Sequence, residues 1–187
     1  MRVDSNPSAA LPPDCLLRPL KTHADGRGQL TEVFRNEWFG SPLPSHWHVG
    51  RTEPNGLRGL YVQDTHWNYL CVVAGEMAVG LHDMRPYTLP DTRSAMLLLS
   101  SARLHVLAVP PGVAYGFYSP ARSAHVGGSS TDDPYSGRQR LRWDSPELGL
   151  DWPCSAPILL PADRDAPGYA ECRSAFLARL AAGQGTA

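Results

Sequence analysis

Two features of the sequence point to chemistry before any fold is assigned. The first is Arg58, in the segment Asn55-Gly56-Leu57-Arg58-Gly59-Leu60-Tyr61-Val62-Gln63, where an Asn-Gly turn runs into an alternating strand. Alternation places Leu57, Gly59, Tyr61 and Gln63 on one face and Arg58, Leu60 and Val62 on the other. An arginine among apolar neighbours is costly to bury unless it meets an anion or a carboxylate. Arg58 therefore reads as an anion-binding residue, with an ion pair to Asp83 or Glu32 as the structural alternative. The second feature is His46-Trp47-His48. Histidines at i and i+2 of a strand share a face and can reach one ligand. They suit a proton-transfer pair, part of a metal site, or two polar groups that line a pocket through hydrogen bonds.

These residues need strands to hold them, and the chain supplies many short ones. After a short apolar stretch, Leu16 to Leu20, the segments Leu30 to Arg35, His46 to Val49, the one after Asn55, Tyr69 to Ala74, Met77 to Met84, Ala95 to Leu99, Leu104 to Val109 and Val113 to Tyr118 read as strands. His125-Val126 reads as one more short strand before a Gly/Ser/Asp-rich loop over 127–138. Turn signals lie between them: Asp25-Gly26-Arg27-Gly28, Asn55-Gly56, Gly75-Glu76 and Pro110-Pro111-Gly112. Asn55-Gly56 reads as a hairpin turn, and Gly75-Glu76 as the turn of a second hairpin. Only the tail from about 169 has helical spacing, with Phe176, Leu177 and Leu180 on one side. Short strands with regular turn signals predict an all-β sandwich, jelly roll or barrel. Residues 1–14 read as a flexible leader and 15–187 as a single domain.

Bulk properties narrow the function classes. A chain of 187 residues fits one domain with a substantial core. A net charge of −1 offers no general field for nucleic acid or an anionic membrane surface. No apolar run suits a membrane helix, and the cytoplasm is the expected location. Cys15, Cys71, Cys154 and Cys172 are scattered without a Cys-x-x-Cys pair, against a disulfide framework or zinc ribbon. Lys21 is the lone lysine, which leaves little for lysine-based chemistry. His66, His82, His105 and His125 read as surface or hydrogen-bonded strand residues, and the tryptophans at 47, 67, 143 and 152 as core or interface residues.

Several motifs, in order, resemble the dTDP-4-dehydrorhamnose 3,5-epimerase family from about Leu17 to Pro167. They are Asp25-Gly26-Arg27-Gly28 with Glu32, the Leu57-to-Gln63 strand, and Asp83-Met84-Arg85. Pro110 to Phe117, Leu150-Asp151-Trp152-Pro153 and Asp163 complete the set. The resemblance implies a cupin-type β jelly roll with a short C-terminal helix, usually a homodimer that shares strands, and an isomerase needing no cofactor. It implies that Arg27, Glu32 and Arg58 bind a nucleotide diphosphate sugar, with Gln63, Asn68 and Tyr135 completing the substrate site.

The same resemblance places Tyr61 where the family has its catalytic histidine and Asp163 where an aspartate orients it. Tyr115 stands for the histidine of a second motif, Asn68 for the enolate-stabilising lysine, and His46 and His48 for a glutamine and an asparagine. The family's far-face tyrosine falls near Gly128, with Tyr135 able to fill in, and an aromatic of the family is Gln29 here. A tyrosine of ordinary pKa about 10 is a poor base at neutral pH and a fair acid.

The expected catalytic set is therefore Tyr61, Asp163, His46, His48 and Tyr115. The expected reaction is an epimerisation or isomerisation, or a related cyclisation or elimination through an enol. Its substrate would be a keto-sugar nucleotide or another natural-product intermediate. One alternative is a metal-dependent cupin using His46 and His48 with Glu53; another is a non-catalytic homologue that binds a sugar nucleotide.

Overall fold

The computed structural model describes residues 10–40, 42–89 and 93–184. Among the described residues there are twelve strands: β1 (Leu16–Pro19), β2 (Thr22–Asp25), β3 (Gly28–Thr31), β4 (His46–Thr52), β5 (Gly56–Val62) and β6 (Asn68–Ala74), then β7 (Glu76–Asp83), β8 (Ser94–Ser100), β9 (His105–Val109), β10 (Val113–Ser119), β11 (Ser123–Ser129) and β12 (Gln139–Arg140). A four-residue helix α1 (Pro161–Arg164) and a longer α2 (Tyr169–Gln184) follow. The strands form two five-stranded antiparallel sheets, β1-β9-β6-β11-β4 and β12-β5-β10-β7-β8, with β2-β3 as a separate ribbon. This is the expected all-β jelly roll.

Two of the expected hairpins are corners instead. From β4 to β7 the chain changes sheet at every step, so the Asn55-Gly56 turn joins strands of different sheets, as does Gly75-Glu76. A tight turn fixes where the chain reverses, whereas sheet membership depends on which partner edge is free. Asn55 holds the first corner with φ +63°, while its Nδ2 donates to the Ala156 carbonyl at 2.9 Å. The strand expected at 30–35 ends at Thr31, and β12 lies in the segment following the expected loop. The leader expected over 1–14 lies outside the described residues as far as residue 9. Its last part is packed: Pro12 is buried and Asp14 pairs with Arg85 at 2.8 Å.

The core has two layers. Leu70, Val72, Met77, Val79, Leu97, Leu107, Val109 and Phe117 fill one end of the space between the sheets. On the outer face of the second sheet, Leu60, Val62, Ala114 and Tyr118 pack with Leu141, Trp152 and Phe176 of α2. Inward and outward residues of β10 thus alternate as pleating requires. Filling one end leaves the other end of the inter-sheet space open, and the polar residues of β4, β5 and β11 gather there.

Strand β5 breaks the simple alternation. Its register with β10 pairs Tyr61 with Tyr115 but Arg58 with Phe117, so three steps on one strand oppose two on the other. This bulge turns Arg58 and Tyr61, expected on opposite faces, to the same side. It needs two facing glycines. Gly59 has φ +102°, and a Cβ there would come 2.9 Å from the Gly116 Cα; a Cβ on Gly116 would meet the Arg58 carbonyl at 2.8 Å.

Candidate active site

Between the open ends of the sheets lies a cavity of about 320 Å³. Arg58, Tyr61, Tyr115, Asn68, His48 and Tyr135 line it, all residues expected from the sequence. His125, Arg138 and Arg140 line it as well.

The second sheet and α1 together contribute a phenol–carboxylate pair. Tyr61, 8% exposed, donates its hydroxyl to Asp163 Oδ2 at 3.0 Å, and Asp163 is 1% exposed. The other carboxylate oxygen accepts from Arg140 Nε at 3.0 Å. Local sequence explains the delivery. Residues 156–158 bond to the β4–β5 corner, with Leu57 N–H donating to the Ile158 carbonyl, and Pro161 then starts α1 with Asp163 in its first turn. Asp163 is thus a partner of both Tyr61 and Arg140. Burial, then the Asp163 charge, pushes the Tyr61 phenol above its ordinary pKa.

The first sheet contributes histidines. The His48 and His125 rings lie 5.7 Å apart, edge to face, and His46 follows at 5.6 Å from His48. Each cavity imidazole lies over a glycine of the neighbouring strand: His48 is paired with Gly127, and His125 with Gly50. A Cβ at Gly127 would come within 2.5 Å of His48 Cε1 and Nε2. Burial is the main reason the His48 pKa falls, with His46, Arg138 and Arg58 adding to it. Burial also lowers His125, to about 4. Tyr115 donates to Asn68 Oδ1 at 3.2 Å, which leaves the Asn68 amide nitrogen to donate elsewhere.

Cations complete the wall. Arg58 donates to Thr52 Oγ1 at 3.3 Å and to the Arg51 carbonyl at 3.0 Å. Neither alternative partner reaches it: Asp83 pairs with Arg85, and Glu32 with Arg35. The Arg138 guanidinium stacks on the rings of Tyr61 at 4.4 Å and Tyr135 at 4.7 Å.

Other expected residues lie elsewhere. Arg27, with a side chain 91% exposed, pairs with Asp25 between β2 and β3, and Glu32 follows β3. Neither lines the cavity of this chain. Gln63 is buried and donates to the Pro134 carbonyl at 3.3 Å, holding the loop that carries Tyr135 rather than facing the cavity. His46 stands behind His48, outside the lining. Glu53 pairs with Arg122 at the surface, away from the cavity lining. Among the described residues no three His, Cys, Asp or Glu side chains form a ligand set. No helix among them is long and apolar enough to cross a membrane.

Sequence reasoning missed His125, Arg138 and Arg140. The signal for the arginines was the Arg-x-Arg alternation after the loop, which puts 138 and 140 on one side. His125 had no local signal; only its register opposite Gly50 brings it inward.

The sequence model of the dTDP-4-dehydrorhamnose 3,5-epimerase family matches residues 10–171. A dTDP-4-dehydrorhamnose 3,5-epimerase of Neisseria gonorrhoeae is 33% identical over 177 residues, covering 90% of this chain and 53% of that protein. The chain therefore spans about half the length of that relative. Among solved structures, the rmlC epimerase of Mycobacterium tuberculosis superposes with TM-score 0.82 at 22% identity, covering 95% of this chain and 92% of that one. ChmJ, a 3'-monoepimerase from Streptomyces bikiniensis in complex with dTDP-quinovose, superposes with TM-score 0.80 at 22% identity, covering 88% of each chain. The two likenesses establish the shared fold.

Proposed function

The chain belongs to the dTDP-4-dehydrorhamnose 3,5-epimerase family, and from that premise we propose that it shifts a proton beside the ketone of a keto-sugar nucleotide. The base in this reading is an imidazole. The observation that supports it most is the contrast between the walls: a phenol committed to Asp163 on one side and a depressed-pKa imidazole, His48, on the other. With its proton aimed at Asp163 and its ionisation pushed up, Tyr61 is not the base; its remaining lone pair can accept from a sugar hydroxyl. His48, uncharged at neutral pH, takes the proton from carbon, and the C–H electron pair moves onto the carbonyl oxygen to give an enolate.

Return of a proton from Tyr135, 66% exposed at the cavity mouth and reprotonated from water, gives the epimer. Return from the His48 imidazolium restores the substrate. The Asn68 amide donates to the carbonyl oxygen, and Arg58, without a carboxylate partner among the described residues, takes the diphosphate. The dTDP-quinovose complex of ChmJ supports a nucleotide sugar. We read the working unit as a homodimer, because Arg27 and Glu32 project from the exposed β2–β3 ribbon, where they could reach a second copy.

The test is incubation with a dTDP-4-keto-6-deoxyhexose in deuterium oxide, followed by mass spectrometry. Deuterium at a carbon next to the ketone is expected. A protein that is thermally stabilised by dTDP yet exchanges nothing would instead be a non-catalytic sugar-nucleotide binder.

A further inference from the structure

We infer that Arg138 supplies the positive charge that holds the enolate oxygen. This rests on the proton-transfer reading above and goes beyond it, since Asn68, the donor to the oxygen that becomes anionic, brings no charge, and the His48 imidazolium forms at the carbon. Three cations line the cavity, and their surroundings differ. Arg140 is committed to Asp163 at 3.0 Å. Arg58 is exposed and turned toward the Thr52 hydroxyl and the Arg51 carbonyl. Arg138 is half-buried and has no carboxylate partner among the described residues. Its Nη2 reaches the Pro134 carbonyl only at 3.4 Å, and its Nε is buried without a protein partner.

A guanidinium held this way between two phenol rings has donors left for an anion. Its position selects which anion. The Arg138 charge acts on His48, Tyr61 and Tyr115, the groups that surround the reacting carbon in this reading. The exposed Arg58 remains for the diphosphate. Fixed charge at a developing oxyanion contributes roughly 10²- to 10³-fold in rate.

The experiment compares Arg138→Gln and Arg138→Lys with the wild-type protein. Arg138→Gln is expected to lower kcat for deuterium exchange by roughly 10²- to 10³-fold. KM and the thermal shift with dTDP should stay close to wild type. Arg138→Lys, which keeps the charge, should recover part of the loss. Exchange unchanged in Arg138→Gln overturns the inference, and so does a parallel loss of the dTDP shift, which would make Arg138 a phosphate anchor.

A second readout needs no turnover: NMR titration of His48, whose ring is faced by His46, His125, Arg58 and Arg138. Arg138→Gln should raise its pKa toward the ordinary value, and a titration that does not move overturns the inference. Wild-type protein that exchanges no substrate defeats the proton-transfer reading alone, and the His48 titration then still decides whether the Arg138 charge reaches this centre.

Discussion

The Tyr61 hydroxyl and the Asp163 carboxylate, 102 positions apart in the chain, meet at 3.0 Å in a buried hydrogen bond. Tyr61→Phe removes the donor and leaves one oxygen of a buried carboxylate with a lost partner. The expected cost is about 1–3 kcal/mol, read as a fall in the urea midpoint. In the proposed reading the phenol is not the base, so deuterium exchange should stay within about tenfold of wild type. A thousandfold loss of exchange in a folded Tyr61→Phe protein would return the base to Tyr61.

His48 is the opposite case. His48→Gln should reduce exchange by roughly 10²- to 10⁴-fold. His48 is solvent-exposed overall and only partly shielded by the cavity walls, so stability should change by no more than about 0.5 kcal/mol. The acid limb of the wild-type pH–rate profile should have its midpoint below the ordinary histidine value of about 6.5, because the folded pKa is depressed. A limb centred above that value would exclude His48 as the base.

Acid should weaken the fold in a window set by two buried imidazoles. His125 and His82 are each lowered to about 4, chiefly by burial. Unfolded, they titrate near 6.5 and bind protons that the folded state refuses, so stability is full above about pH 6.5 and declines as pH falls toward 4. Each contributes roughly 2–3 kcal/mol to that decline. Urea midpoints at pH 7, 5.5 and 4.5 should therefore fall in order, and His125→Asn should flatten the slope. A flat profile in the wild type would show that these rings take up protons in the folded state.

Two glycine substitutions should separate positioning from folding. Gly127→Ala brings a methyl within 2.5 Å of the His48 ring, whose free end can swing aside. Exchange should drop at least tenfold while the fold loses no more than about 1 kcal/mol. Gly59→Ala meets backbone at 2.9 Å with φ +102°, so nothing can yield cheaply. It should destabilise by more than about 2 kcal/mol and move Arg58 and Tyr61 together. Equal behaviour of the two variants in unfolding and exchange assays would contradict this division.

Strand content and the C-terminal helix were legible because alternation and turn residues are local signals. Arg58 and His48 were legible from residue type and strand spacing, and Tyr61, Asp163, Tyr115, Asn68 and Tyr135 through their resemblance to a known pattern. What was hidden depends on contacts between distant segments. Whether Asn55-Gly56 makes a hairpin or a corner depends on where β10 and β11 lie. The facing of Arg58 depends on a bulge that exists only opposite Gly116. His125 turns inward by its register with β4, and Arg138 gains its place from the Pro134 loop that Gln63 holds.

The reciprocal seating of His48 on Gly127 and His125 on Gly50 has an evolutionary corollary. Each imidazole occupies room vacated across the strand boundary, so the two sites of a pair change as one. A descendant that keeps the ring at 48 is barred from gaining bulk at 127, while one that trades the ring for something smaller is released from that constraint. Compensated double replacements, rather than single ones, are the open road by which this wall could be remodelled for a different ligand.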